Sequence, residues 1–215
     1  MKQKYLFHFL KIKQIYKMNY NIKISPGNTK IGKIPNINLP PGRSCRLGVP
    51  CLSSGCYALK AYRMYPSTQK AWDQNYYFFI NNPDDYFNEI ESWLLSKKTQ
   101  PQYFRWHSSG DIVSQKYLDG MISISNKFNN IKFLAFTKQF DFDFSNIPQN
   151  LFIIMSMWPN FIYPQQYKDI FTFSWMDDGT DKRIPQESVY QCPGSCPTCM
   201  KCWTKDFKNI VFKKH

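Results

Sequence analysis

Three short apolar runs decide the fold: Ile131–Thr137 (IKFLAFT), Leu151–Met157 (LFIIMSM) and Ile170–Met176 (IFTFSWM). Each is nearly continuous in apolar residues, the pattern of a strand covered on both faces rather than on one. Upstream lies a fourth strand-like segment, the aromatic Gln102–His107, and after it a helical segment, Ser114–Phe128. Earlier still, Asn82 reads as the N-cap of a helix with Pro83 at its first position, Asp84 and Asp85 in the first turn, and Lys97 and Lys98 at its end. Its apolar residues Tyr86, Ile90, Trp93 and Leu94 share one face. Cys56–Tyr65 and Ser67–Ile80 read as helices, with Ser67 as an N-cap, Gly27 to Pro50 as a loop, and Tyr20–Ser25 as a short strand. Strands alternating with helices imply an α/β fold with a mostly parallel sheet. Because no helix is evident between Thr137 and Leu151, the expectation is an irregular or incomplete (β/α) barrel with cysteine-bearing loops.

The chain has 215 residues, 43% hydrophobic and 18% aromatic, enough to bury a core without disulfides and unlike disordered or collagenous sequences. No stretch has the ~20 uninterrupted apolar residues of a membrane-spanning helix. With no repeat and no linker, residues 18–215 read as a single α/β metal-binding domain. Residues 1–17 read as a basic leader, disordered or, if Met18 is the true start, an upstream artefact. The leader's apolar segment is too short for a signal peptide and no small-residue cleavage site follows, so a cytoplasmic protein is expected. The net charge is +13, and the excess is local: 13 Lys and Arg precede Asp73, the first acid, and the rest of the chain is balanced, 15 against 15. A segment of this kind suits nucleic acid, an anionic membrane surface or a phosphate-bearing ligand, or is simply solvated lysine.

All 7 cysteines fall into two groups, Cys45-x5-Cys51-x4-Cys56 and Cys192-x3-Cys196-x2-Cys199-x2-Cys202. The odd count and the absence of an export signal argue against a disulfide framework. Buried free thiols seldom cluster beside residues such as Pro193, Gly194 and Pro197. Cys-x2-Cys spacing lets one turn of backbone aim two thiolates at one metal while amides donate to the sulfurs. Metal binding by all seven is the reading. Four thiolates could close a tetrahedral zinc site. The Cys-x3-Cys-x2-Cys within the same run also matches the spacing that leaves one iron of a [4Fe–4S] cube open in radical S-adenosylmethionine enzymes. In those enzymes, however, the motif follows the first strand, and here no acidic-glycine motif accompanies it.

Chemistry in parallel α/β folds gathers where strands end. Here those ends read Arg105-Trp106-His107-Ser108-Ser109-Gly110-Asp111, Thr137-Lys138, Ser156-Met157-Trp158 and Ser174-Trp175-Met176-Asp177-Asp178. Strand alternation puts Arg105, His107 and Ser109 on one face and Trp106 on the other. Arg105 is suited to clamp a carboxylate or phosphate, with Lys138 as a second binding cation. His107 oriented by Asp111, with Ser109 beside it, is a candidate general acid/base; a structural His–Asp pair is the plainer alternative. Trp158, Trp175 and Trp203 read as core or cluster shielding, and His8 and His215 as incidental.

Three groups of residues together resemble the phage "gene product 88" domain family. These are Cys45-x5-Cys51-x3-Gly55-Cys56-Tyr57-Ala58 with Lys60, Arg63 and Asn75; Arg105-x-His107-x-Ser109-Gly110-Asp111 with Tyr117; and the closing Cys199-Met200-Lys201-Cys202-Trp203. The resemblance runs from about Gly32 to Trp203, with Trp106 standing where a smaller apolar residue is expected. It implies a phage or prophage protein of the host cytoplasm and a partial TIM-barrel relation to radical-type enzymes, but no reaction. On this reading both cysteine loops fold over one face of the barrel. Cys45, Cys51 and Cys56 would hold a [4Fe–4S] cluster, its fourth ligand drawn from the C-terminal group or left open, and the remaining thiolates a second iron–sulfur or zinc site. The acid-free third would then surround an anionic cluster.

The first functional expectation is therefore an iron–sulfur protein, redox-active or radical-type, with or without S-adenosylmethionine, acting on a small polar or anionic molecule. The second is a zinc-stapled nucleic-acid-binding protein, and the third a structural cluster protein without turnover. The sequence leaves the oligomeric state open.

Overall fold

The computed structural model describes residues 21–213. The leader 1–17, with His8, lies outside them, as do Tyr20 and His215. In chain order the elements are β1 (Ile24–Ser25), β2 (Asn36–Ile37), α1 (Tyr57–Met64), α2 (Pro66–Asn81), α3 (Pro83–Leu95), β3 (Tyr103–Trp106), α4 (Gln115–Lys127), β4 (Lys132–Thr137), β5 (Leu151–Met157), β6 (Thr172–Asp177), β7 (Val189–Gln191) and β8 (Asn209–Lys213). The strands form one eight-stranded sheet in the order β1-β2-β3-β4-β5-β6-β8-β7, with β1–β2 antiparallel and every other pair parallel. The fold is thus α/β with a mostly parallel sheet. The sheet is not closed: β1 and β7 are its two edges.

Register sorts the strand residues into two faces. Arg105 lies opposite Leu134, Phe136 opposite Ile154, and Ser156 opposite Ser174 and, beyond it, Ile210. The neighbouring positions Phe104, Trp106, Phe133, Ala135, Ile153 and Met155 point the other way, into the main core beneath the helices. α3 supplies Tyr86, Ile90 and Leu94 to that core and α4 supplies Tyr117, Leu118, Met121 and Ile124, both at helical spacing. Each fully buried large side chain of this kind contributes roughly 1.5–3 kcal/mol. Ser114 caps α4, its Oγ accepting from the Tyr117 amide at 3.3 Å.

The second face is covered differently. Leu134, Ile154 and Ile210 pack against Trp203 and Ile34, with Cys192, Cys196, Met200 and Cys202 around them. The C-terminal cysteine loop thus does here what helices do on the other side. It is fastened to the start of the chain by the Cys196 amide, which donates to the Lys30 carbonyl at 2.9 Å. Beside that bond Gly32, at φ 72°, leaves so little room that a Cβ would lie 2.6 Å from Cγ of Pro197.

Several sequence readings shift. α2 begins at Pro66, with Tyr65 and not Ser67 as its N-cap, since proline at the first position needs no amide partner. The loop from Gly27 to Pro50 contains β2, and β7 and β8 extend the sheet past the last apolar run. No helix forms between Thr137 and Leu151, as the sequence indicates.

Gly120 offers a test of packing against propensity. A Cβ there would lie 2.1 Å from the Phe87 ring, which is itself wedged among Phe79, Tyr86 and Tyr117. Gly120→Ala gains about 1 kcal/mol of helix propensity, yet overpacking of this kind costs about 1–3 kcal/mol. Denaturant unfolding is expected to show a net loss of stability; a gain would mean that the aromatic cluster yields freely.

Candidate functional site

The carboxyl ends of β3, β4, β5, β6 and β8 open onto a cavity of 380 Å³. All seven cysteines line it, as do Arg105, His107, Ser109, Asp111 and Lys138. The residues singled out in the sequence are therefore brought together, from segments at opposite ends of the chain. Cys51 sits in a short turn, Pro50–Leu52, and Cys56 immediately precedes α1. Cys196 and Cys202 sit in the turns Cys196–Thr198 and Lys201–Trp203. Arg46 pairs with Asp141, tying the first cysteine loop to the segment after β4.

The thiols differ in character. The neighbouring Cys51 thiol and, less strongly, the amides of Leu59 and Ala58 at the start of α1 favour the Cys56 thiolate and hold its pKa below that of an ordinary thiol. Cys51 is correspondingly raised. Burial pushes Cys45 up to about 11 and Cys202 up to about 12, and raises Cys196. Each group has a nearby cation: Lys138 favours the thiolates of Cys45, Cys51 and Cys56, and Arg105 those of Cys196 and Cys202. Backbone amides donate to sulfur in both groups, from Gly42 to Cys45 and from Gly194 to Cys192, each at 3.4 Å. Tyr190 Oη lies 3.1 Å from Cys199 Sγ. Among the described residues, no group of three or more Cys, His, Asp or Glu side chains is already gathered closely enough to hold a metal ion. As a donor set the thiols suit a metal, but binding one requires them to turn toward each other.

Arg105 and Trp106 do lie on opposite faces, Trp106 fully buried under the helices. His107 and Ser109 reach the cavity by another route than strand alternation. β3 stops at Trp106, and His107 turns with φ 59°. Its Nε2 then lies 3.0 Å from the Tyr117 hydroxyl, which in turn meets the Tyr86 hydroxyl at 2.9 Å. Burial, helped by Arg105, lowers the His107 pKa to about 3, so the ring is neutral at ordinary pH. Asp111 is not its partner. That carboxylate accepts from Thr137 Oγ1 at 2.7 Å and from the amides of Ile112 and Lys138 at 2.7 and 2.9 Å, bracing β3's loop against the end of β4. Ser109 Oγ donates to the Leu39 carbonyl at 3.0 Å. The expected His–Asp pairing therefore does not form, because each member is already engaged elsewhere.

The basic third also contributes less than its charge indicates. Of the bases that line the cavity, Lys30, Arg105, Lys138, Lys201 and Lys213, only Lys30 precedes Asp73. What the sequence reading missed is Asn38. Its Oδ1 accepts from the amides of Ser108 and Ser109 at 2.7 and 3.1 Å, and its Nδ2 donates to Asn36 Oδ1 at 2.6 Å. The signal available was the alternation Asn36-x-Asn38 beside apolar neighbours in a supposed loop.

Among known families, the one described as Gene product 88 matches the chain over residues 12–167. The match takes in Cys45, Cys51, Cys56, the Arg105–Asp111 run and Lys138, begins inside the leader and ends before Cys192. The likeness seen in the motifs, from about Gly32 to Trp203, therefore extends past the matched region at its C-terminal end. No curated protein and no solved structure matches the chain.

Two outcomes follow from this geometry. In reduced, metal-free protein, Cys56 is the first thiol that iodoacetamide modifies as pH rises, with its half-maximal rate at a lower pH than an ordinary thiol requires. Cys51→Ala moves that midpoint upward, and equal labelling of all seven thiols in mild acid would contradict the assignment. Asn38→Ala strips the Ser108 and Ser109 amides of their acceptor, a loss of about 2–6 kcal/mol in denaturant unfolding at ~1–3 kcal/mol for each stranded group.

Proposed function

Since the chain belongs to the Gene product 88 family, we propose that it is a phage-encoded, cytoplasmic metal–thiolate protein whose cavity takes up a small polar or anionic molecule. The metal group favoured is a [4Fe–4S] cluster on Cys45, Cys51 and Cys56, the C-terminal cysteines supplying a fourth ligand or a second iron–sulfur or zinc site. One observation carries the proposal: seven thiols from two distant segments line a single cavity at the carboxyl ends of a parallel sheet. Disulfide pairing is not needed to explain them, and all seven are free.

A bound cluster supplies electron transfer or a reactive iron. The chain's own residues do the rest. Cys56 is held near ionisation at the head of α1, and Lys138 balances the charge of its group. Arg105 performs the same service for the C-terminal group while remaining available to an anionic molecule. His107, neutral and anchored through Nε2, presents Nδ1 as a hydrogen-bonding atom. Ser109 and Asp111, already engaged, position the loop that carries these groups. An incomplete barrel with radical-type chemistry is the finer form of this reading, and stoichiometric cleavage of S-adenosylmethionine on reduction is its signature.

A second reading rests on the outer surface of α1 and α2. There Lys60, Arg63 and Lys70 are exposed together with Tyr65, a combination of charges and a ring that suits single-stranded nucleic acid. On this reading the thiols hold zinc and only staple the fold.

Anaerobic purification followed by iron, sulfide and zinc analysis separates the two. The proposal expects coloured protein with iron and acid-labile sulfide, lost in Cys45→Ala, Cys51→Ala or Cys56→Ala. Colourless protein with zinc alone would overturn it.

A further inference from the structure

Four residues of the cavity lining each carry a buried polar side-chain atom with no hydrogen-bond partner among the described residues: Arg105 Nε, His107 Nδ1, Ser108 Oγ and Trp203 Nε1. Stranding a buried donor or acceptor costs ~1–3 kcal/mol, so folded proteins leave few of them. Here four occur at one place, three of them within the run Arg105–Ser108. A fifth such atom, Trp106 Nε1, belongs to the aromatic core on the other side of the sheet and does not line the cavity.

The chemistry of the four is one-sided. Arg105 Nε–H and Trp203 Nε1–H are donors only. Ser108 Oγ donates as readily as it accepts, and His107 Nδ1 carries a hydrogen when Nε2 accepts from Tyr117. The guanidinium of Arg105 rests over the Phe136 ring, 5.0 Å from its centroid, and among the described residues no carboxylate pairs with it. The single carboxylate on the lining is Asp111, which is already occupied by three donors. Lys138 adds a second cation, over the Trp158 ring at 5.8 Å. The four donor-bearing residues and the two cations therefore line one cavity, and no acceptor among the described residues answers those four atoms.

We infer that this cavity is a binding site for a small molecule carrying an oxyanion, a carboxylate or a phosphate, clamped by Arg105 and completed by Ser108, His107 and Trp203. The 380 Å³ volume exceeds a simple anion and falls in the range of organic ligands. Phe136, Trp158 and Phe212 offer the remainder of such a molecule an apolar wall. The inference rests on the small-molecule half of the proposed function and specifies its ligand class. It does not depend on which metal the thiols hold.

Equilibrium dialysis of the full-length protein as purified anaerobically, against labelled inorganic phosphate and separately against labelled acetate, tests it. Saturable binding of about one equivalent of at least one probe is expected, and the preferred probe tells phosphate from carboxylate. Arg105→Gln weakens that binding about tenfold or more, as loss of a charged hydrogen bond implies. Should that variant fail to fold, Ser108→Ala and Trp203→Phe each remove one donor and lower affinity severalfold. Lys168→Gln, away from the cavity, leaves it unchanged. The inference is overturned if neither probe saturates, or if the variants bind as the unaltered chain does. It is equally overturned if binding appears only after the metal is stripped, since the four atoms would then serve the metal group's sulfur. Metal analysis of the same samples keeps failure of the metal reading separate from failure of this one.

Discussion

The side-chain amide of Asn38 is the constraint on which the site depends. β2 has only two residues and β3 only four, too few ladder bonds to fix the loops beyond them. Asn38 takes over where the ladder ends. Its oxygen holds the Ser108 and Ser109 amides, its nitrogen holds Asn36, and its own carbonyl accepts from Asn75 Nδ2 of α2 at 3.0 Å. Asn75 in turn bonds both the amide and the carbonyl of Lys23. A chain of side-chain amides therefore links the residue before the first strand, the second strand, a helix and the loop after the third. Gly110 completes the turn at φ 84°, where a Cβ would meet the Leu39 carbonyl at 2.9 Å. With the loop so fixed, Arg105 is left on one face and His107 is delivered to Tyr117 on the other side of the same opening.

A parallel sheet needs cover on both faces, and this one obtains it from two sources. Helices serve one face. On the other, the C-terminal loop brings Trp203 down onto Leu134, Ile154 and Ile210, its ring edge-on to Tyr103 at 5.6 Å between centroids. That packing is why the second cysteine group lies near the first at all. The apolar anchor and the thiols occupy the same short stretch, so burying Trp203 carries Cys196, Cys199 and Cys202 to the strand ends. A metal shared or divided between the groups would add to an arrangement that hydrophobic packing already favours.

The three apolar runs announced β4, β5 and β6 because buried strands are recognisable wherever both faces are apolar. α3 was equally legible from its cap and spacing, and α4 was read as a helical segment. β2 was not: its partners make it a strand, and two residues hold no periodicity of their own. β7 and β8 escaped for a related reason, since Val189–Gln191 is short and Asn209–Lys213 carries polar ends. The site was legible as a set of residues and not as a set of contacts. Which residues gather at strand ends follows from fold class, whereas the left-handed turn at His107 and the engagement of Asp111 by Thr137 depend on packing between distant elements.

Charge binds these pieces into one unit. Before Asp73 the chain is basic, but Arg43 and Arg46 pair with Asp73 and Asp141, and Lys60, Arg63 and Lys70 lie outside on α1 and α2. The cations that matter to the cavity come from the electrically balanced part of the sequence, Arg105 from β3 and Lys138 from the end of β4. A guanidinium whose Nε is buried without an acceptor carries a desolvation cost that its contact with Phe136 cannot offset alone. Thiolates that gain charge near it lower that cost, and it lowers theirs, as the pull of Arg105 on Cys196 and Cys202 shows. The positive and negative halves of the cavity are therefore each unfavourable without the other. Whatever ionises the C-terminal thiols draws on the charge of Arg105, and an incoming anion would compete for that same charge. If an oxyanion binds as proposed, its occupancy and ionisation of the C-terminal thiols would be coupled for that reason, with the sign that each weakens the other.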